Sequence, residues 1–237
     1  MTEPTLWAVV PAAGIGCRFA ADSPKQYQVI AGRAVLGWSL AALLGVARLR
    51  GVSVAISGDD GRFSTVAETQ EARVRSCLGG ASRQASVRAA LEDLLAAGAK
   101  RDDGVLVHDA ARPGLTPELI ETLVETVGDD PNGGLLVMPV GDTVKQGEVG
   151  GSVEATLPRD RLWLAQTPQY FRLGLLKDAL DQAHRAGVSV TDEASAMEAL
   201  GYRPRLVTGS QRNLKLTHAT DRLVLEALLG DEPGQGG

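Results

Sequence analysis

Apolar residues along this chain fall into two kinds of stretch that alternate. One kind is short and unbroken. Residues 6–10, Leu-Trp-Ala-Val-Val, end at Pro11-Ala12-Ala13-Gly14, the pattern of a buried strand running into a loop. Apolar runs at 52–56, 105–107 and 135–140, and the shorter or more polar stretches 73–78 and 205–207, predict further strands. The other kind repeats its apolar positions every three or four residues, as on one face of a helix. It covers 34–46 (Leu36, Leu40, Leu43, Leu44), 82–97 (Val87, Leu91, Leu94, Leu95), 117–127, 173–186, 191–200 and 219–229. Strands alternating with helices predict a Rossmann-like α/β fold, a mostly parallel sheet with helices on both faces. Such sheets bind ligands beyond the carboxyl ends of their strands, so the loops that follow strands are where chemistry is sought.

One stretch breaks the rhythm. Residues 141–157 mix polar residues, Gly147, Gly150 and Gly151 with the β-favouring Val144, Val149 and Val153, which predicts a β-hairpin arm projecting from the sheet and spanning about 141–159. A lone hairpin is marginal in water, so the arm is expected to pack on a second copy of the chain. With no internal repeat or linker in view, residues 1–230 read as a single domain and 231–237 as a disordered tail.

Composition narrows the class. Of the 237 residues 44% are hydrophobic but only 4% aromatic, so the core must rest on Leu, Val and Ala. A net charge of −5 argues against nucleic acid as a partner, which usually calls for a basic excess. No apolar run approaches the ~20 residues that span a bilayer, and no secretory pattern opens the chain, so neither membrane nor export is expected. Cys17 and Cys77 lack metal-ligand spacing, and the three histidines are scattered; the expectation is reduced thiols in a cytoplasmic protein with no metal site built from its own side chains.

The loop after the first strand carries the strongest chemical signal. Ala12, Ala13, Gly14 and Gly16 have almost no side chain, so backbone N–H groups can face a bulky anion, and Arg18 and Lys25 add cations just beyond. This is neither the three-glycine dinucleotide loop nor a P-loop ending in Gly-Lys-Ser/Thr. Gly79-Gly80-Ala81-Ser82-Arg83-Gln84-Ala85-Ser86 follows a strand and opens a helix with Ser82 as N-cap, which suits either a nucleotide contact or an ordinary capped turn. In His108-Asp109-Ala110-Ala111-Arg112-Pro113 the first two residues would face opposite ways on a strand and cannot form a relay with each other. Asp109 reads as a hydroxyl acceptor, Arg112 as an anion partner and His108 as structural. Asp142-Thr143-Val144-Lys145, Arg159, Thr167, Thr191-Asp192-Glu193-Ala194-Ser195 and Asn213-Leu214-Lys215 each read singly as caps or solvated positions, and together as the lining of a wet, cationic pocket.

Taken in order from residue 11 to residue 217, these motifs resemble the 2-C-methyl-D-erythritol 4-phosphate cytidylyltransferase family, although Cys17 and Ala81 depart from what is usual there. The resemblance implies a nucleotidyltransferase that joins CTP to 2-C-methyl-D-erythritol 4-phosphate. It implies Arg18 and Lys25 at the α-phosphate, and Arg159 and Lys215 at the attacking phosphate. It further implies Ala12, Ala13, Gly14, Gly16, Arg83, Ser86 and Ala110 at CTP, and Asp109, Arg112, Thr143, Thr167 and Thr191 at the second substrate. A divalent cation such as Mg2+, carried mainly on the CTP phosphates, and a homodimer formed through the arm are implied as well. A ribitol-phosphate or sugar-phosphate nucleotidyltransferase, or a non-catalytic nucleotide-binding protein, are the alternatives. A phosphomonoester is already mostly ionised at pH 7, so such a reaction needs cations rather than a general base.

Overall fold

The structure, a computed structural model, describes residues 5–14 and 24–230. In chain order its elements are β1 (Leu6–Pro11), a 3₁₀ turn (Lys25–Tyr27), β2 (Val29–Ile30), β3 (Arg33–Ala34), α1 (Val35–Leu44) and β4 (Leu49–Ile56). Two more 3₁₀ turns (Phe63–Thr65 and Ala67–Gln70) lead to β5 (Val74–Leu78), α2 (Arg83–Ala96), β6 (Gly104–Val107), α3 (Pro117–Val127) and β7 (Gly134–Pro139). The second half holds β8 (Val144–Gly147), β9 (Val153–Leu157), β10 (Trp163–Arg172), α4 (Leu173–Arg185), α5 (Glu193–Ala199), β11 (Arg205–Thr208) and α6 (Asp221–Gly230).

Seven strands form one sheet in the order β11-β7-β10-β6-β1-β4-β5. The pairings β1–β4, β1–β6, β4–β5 and β11–β7 are parallel, while β10 runs antiparallel to both β6 and β7. The expected mostly parallel α/β sheet is therefore present. The difference lies in β10, a ten-residue strand that the apolar pattern does not predict. Its middle reads Gln166-Thr167-Pro168-Gln169, polar and interrupted by proline, so neither apolar continuity nor alternation marks it. These residues are nonetheless interior, because their polar groups are hydrogen-bonded to neighbouring segments rather than to water.

The unbroken apolar runs follow from burial on both faces. Leu6, Ala8 and Val10 of β1 pack on one side with Leu36, Leu40 and Leu43 of α1 and Ile120 and Leu123 of α3. Trp7 and Val9 pack on the other with Val87, Leu91 and Leu94 of α2 and Leu176 and Leu180 of α4. Each wholly buried Leu or Val contributes about 1.5–3 kcal/mol relative to exposure. Helix starts are set by side chains: Ser82 Oγ accepts from Ala85 N at 3.1 Å, and Asp192 and Ser195 form a reciprocal capping box on α5. Residues 144–157 form a separate antiparallel hairpin, β8 with β9, whose side chains are nearly all exposed.

This topology chooses the location of the site. From β1 the chain builds outward through β4 and β5, then crosses to the opposite side of β1 to lay down β6. The loops leaving β1 and β6 therefore diverge at a topological switch point, where open α/β sheets have a crevice.

Candidate active site

A cavity of about 640 Å³ lies at this crevice. Its walls are the loop after β1 (Pro11, Ala12, Ala13, Gly14), Lys25 and Gln26, the turn into α2 (Gly80 to Arg83, with Ser86), the loop after β6 (Asp109 to Ala111), and Lys215 with Thr217. Of the sequence-predicted residues it gathers Ala12, Ala13, Gly14, Lys25, Arg83, Ser86, Asp109, Ala110 and Lys215. Gly16 and Arg18 lie outside the described residues. Thr143 and Arg159, which flank the hairpin, and Thr191, which precedes α5, are exposed and do not line this cavity. Arg159 donates to the carbonyl of Gly141, and the Thr191 N–H donates to Ser195 Oγ.

Close backbone contacts shape the two anion-facing loops. Ala12 N donates to Ala55 O at 2.8 Å, fixing the first loop to β4. The buried Gln26 side chain donates from Nε2 to Ala12 O at 2.8 Å and to Gly14 O at 3.4 Å. Both carbonyls are thus engaged by Gln26, which reduces the negative field they could present to an anion. Across the cavity, Ser86 Oγ accepts from Gly80 N at 3.1 Å and holds the turn closed. A β-carbon on Gly79 would overlap the Ala13 methyl, so the two loops can approach this closely only with glycine there.

The far wall is a chain of alternating charges. Glu193, 1% exposed, binds Arg83 with both oxygens, Oε1 to Nη1 at 2.7 Å and Oε2 to Nη2 at 2.9 Å. Arg83 Nε donates to Asp109 Oδ1 at 3.0 Å, and Lys215 Nζ donates to Asp109 Oδ2 at 2.7 Å. Arg112 Nε stands 3.9 Å from the same carboxylate. Burial works against the charge on Asp109, but Arg83, Lys215 and Arg112 outweigh it and hold its carboxyl well below the usual range. Burial likewise disfavours charged Arg83, and Glu193 with Asp109 overcomes it, so its guanidinium is held charged even more firmly than usual. Arg112 differs: burial lowers its affinity for a proton, and it spends its terminal nitrogens on the carbonyls of Asn213 (2.8 Å) and Ala165 (3.3 Å).

Beneath this wall lies the middle of β10. Thr167, 4% exposed, accepts from Asp109 N at 2.9 Å and meets His108 Nδ1 at 3.1 Å. Asn213, wholly buried, donates to Thr167 O at 2.7 Å, which sets the segment carrying Lys215. Gln169 accepts from Ala194 N at 2.7 Å and donates to Asp192 at 2.8 Å, fixing the start of α5 and hence Glu193. The sequence reading gives no site role to Gln26, Gln166 or Gln169, and places Glu193 and Asn213 only within motifs that together would line a pocket, with no individual role. The signal available was their position inside the motifs, polar residues where an apolar interior would otherwise be cheaper. His108 is enclosed, and its desolvation pushes its pKa down to about 4, so it is neutral at pH 7 and cut off from any proton-transfer partner in the cavity.

A small-residue mouth, Lys25, Arg83 and Lys215, and, among the described residues, a single carboxylate already held by cations suit a polyanion. Among the described residues the arrangement offers no nucleophile–base pair; it can hold and polarise phosphates. The comparisons agree with that chemistry. The sequence model of the 2-C-methyl-D-erythritol 4-phosphate cytidylyltransferase family matches residues 6–231. A protein of that name from Burkholderia multivorans (strain ATCC 17616 / 249) is 50% identical over 229 residues, covering 95% of this chain and 96% of its own. A crystal structure of a 4-diphosphocytidyl-2C-methyl-D-erythritol synthase superposes with a TM-score of 0.83 at 39% identity, over 97% of this chain and 100% of that one. The Francisella tularensis 2-C-methyl-D-erythritol 4-phosphate cytidylyltransferase gives 0.81 at 35% identity, over 94% and 99%.

Proposed function

The chain belongs to the 2-C-methyl-D-erythritol 4-phosphate cytidylyltransferase family, and from that premise we propose how its residues divide the work of the reaction. The enzyme converts CTP and 2-C-methyl-D-erythritol 4-phosphate to 4-diphosphocytidyl-2-C-methyl-D-erythritol and pyrophosphate. A phosphate oxygen of the acceptor forms a bond to the α-phosphorus of CTP while the bond from that phosphorus to the β-bridging oxygen breaks, and pyrophosphate leaves with those electrons. The acceptor dianion needs no base, and the difficulty is the approach of two anions. A unit-charge contact at ~4 Å is worth about 4 kcal/mol at an effective dielectric near 20, before desolvation. Several fixed cations can therefore supply most of the required stabilisation.

The observation that carries this reading is the ordered row Lys215–Asp109–Arg83, backed by Glu193, lining the same cavity as Lys25 at the switch point. In it, Lys25 and Arg18 stabilise charge that develops around the α-phosphorus. Ala13, Gly14, Gly16, Ala110, Ser86 and Arg83 hold the nucleotide, with Ala12 anchoring their loop. Lys215, and Arg159 from a second copy, position the acceptor phosphate; Asp109, Arg112, Thr143 and Thr191 meet its hydroxyls and phosphate, with Thr167 supporting Asp109 from below. Among the described residues Asp109 is the one carboxylate lining the cavity, and it is occupied by cations; no group of three metal-binding side chains exists among those residues either. That donor set fits a Mg2+ ion brought in on CTP, its coordination filled by phosphate oxygens and water, where it would neutralise triphosphate charge. No helix is long and apolar enough to cross a membrane among the described residues, and a cytoplasmic place of action, where CTP is available, belongs to the same reading.

Pyrophosphate release with CTP and 2-C-methyl-D-erythritol 4-phosphate tests the assignment. We expect turnover with that acceptor and little with ribitol 5-phosphate, and CTP preferred to ATP and GTP; equal turnover of a purine triphosphate would overturn the nucleotide assignment. In the same assay Lys25→Ala should lower kcat by at least about 100-fold with a much smaller change in KM for CTP, because a contact made mainly in the transition state shows in kcat. Near-normal kcat in the folded variant would remove Lys25 from the chemistry.

A further inference from the structure

We propose that Glu193 is a positioning residue for nucleotide binding: a buried carboxylate that fixes Arg83 at the cavity wall independently of Asp109. The inference rests on the reading above that Arg83 contacts CTP. Glu193 does not line the cavity, yet it is 1% exposed and spends both oxygens on the two terminal nitrogens of Arg83. A guanidinium has five N–H groups. Glu193 takes two and Asp109 takes the one on Nε, which leaves one on each terminal nitrogen; the Arg83 side chain, 30% exposed, is part of the cavity wall. Those two donors lie on opposite edges of the guanidinium, one beside Cδ and one beside the Asp109-bound Nε, so each can meet a phosphate or ribose oxygen singly.

Asp109 is poorly suited to hold Arg83 alone. Its carboxylate is shared with Lys215, which lines the cavity where phosphate would arrive, and lies near Arg112. A bound polyanion competes for Lys215, so the charge balance on Asp109, and with it its grip on Arg83, changes through the reaction cycle. Glu193 has no such competition, since Arg83 is its salt-bridge partner among the described residues. It is also rigidly placed: first residue of α5, next to the Asp192 cap, with the following N–H of Ala194 held by Gln169. A bidentate carboxylate–guanidinium pair fixes orientation as well as charge. The cation that meets CTP is thus oriented from behind by a group the substrates never touch.

The test measures KM for CTP at saturating acceptor, kcat, and CTP–Mg2+ affinity by calorimetry. It compares the wild type with Arg83→Gln, Glu193→Gln, Glu193→Asp and the double Arg83→Gln/Glu193→Gln variant, with thermal melting alongside. Glu193→Gln should raise KM and Kd for CTP about tenfold while kcat changes less than about threefold. Glu193→Asp, which keeps the carboxylate, should fall between wild type and Glu193→Gln. The double variant should be no worse than Arg83→Gln alone, because the carboxylate acts through the guanidinium. If Arg83→Gln raises KM for CTP but Glu193→Gln does not, or if Glu193→Gln lowers only melting temperature and active fraction, the inference is wrong. If Arg83→Gln itself leaves CTP binding unchanged, the reading of Arg83 fails first. Should Glu193→Gln not fold, Glu193→Asp carries the test, with a rise in KM for CTP expected and an unchanged KM overturning the proposal.

Discussion

His108 is held by two neighbours that fix its state. Its Nε2 lies 3.2 Å from the Arg112 carbonyl, which can only accept, so Nε2 carries the hydrogen; Nδ1, 3.1 Å from Thr167 Oγ1, then accepts from that hydroxyl. The ring is fully enclosed, and burial pushes its pKa down to about 4, against the contrary pull of Asp109. Below the ordinary histidine value of 6.5 the unfolded chain therefore binds a proton that the folded chain refuses. Stability is complete above about pH 6.5 and falls as the pH drops toward 4, by about 2 kcal/mol at pH 5. Asp109, whose carboxyl is held low, adds a loss of the same sign only at still lower pH, as its unfolded counterpart takes up a proton. Urea unfolding at pH 7.5 and pH 5 should show this slope in the wild type and a shallower one in His108→Asn; equal slopes would mean the ring is not buried in its neutral form. The sequence indicated that His108 and Asp109 could not act as a relay, since adjacent residues face opposite ways. It could not show that Thr167 would bridge the two, because that contact joins positions 59 residues apart.

The same distance problem governs what was legible among the elements. Helices and parallel strands announce themselves locally: α3 is predicted at the residues it occupies, and Ser82 caps α2 as its sequence suggests. β10 is invisible because its interior residues are polar, paired to partners supplied by the loop after β6, α5 and residues 210–213. A strand whose core positions are Gln, Thr and Gln becomes reasonable only once those partners are in place. It also supports much of the candidate site, with Thr167 under Asp109 and Gln169 behind Glu193. We therefore expect Gln169→Ala, which strands the Ala194 N–H and frees Asp192, to cost about 1–3 kcal/mol. Its effect should be concentrated at α5: faster amide exchange over residues 192–199 than over α2 or α3, with a rise in KM for CTP through the loosened Glu193. Uniformly faster exchange across all helices would instead mark Gln169 as a general stability residue.

At the scale of the molecule, one cluster of site candidates stays apart. Thr143 and Arg159 flank a hairpin that packs little of itself on its own chain, with Val149, Val153, Trp163 and Leu164 left exposed nearby. A two-stranded ribbon with so little cover is marginal alone, and a second copy would bury it. We propose that the arms cross in a two-fold dimer, so that each cavity takes Lys25 and Lys215 from one protomer and Arg159 from its partner. The symmetry then sets a quantitative expectation. Lys25→Ala and Arg159→Ala homodimers should each be nearly inactive, since every site lacks one cation. Mixed and allowed to exchange subunits, about half of the dimers are heterodimers. In each of these, one site holds the intact Lys25 of one protomer and the intact Arg159 of the other, while the second site lacks both. Half the dimers with half their sites working gives recovery to about a quarter of wild-type activity. The pyrophosphate-release assay reads this directly, with exchange established by differently tagged chains. If exchange is complete and activity does not return, Lys25 and Arg159 serve the same site from one protomer, and the arm does not cross.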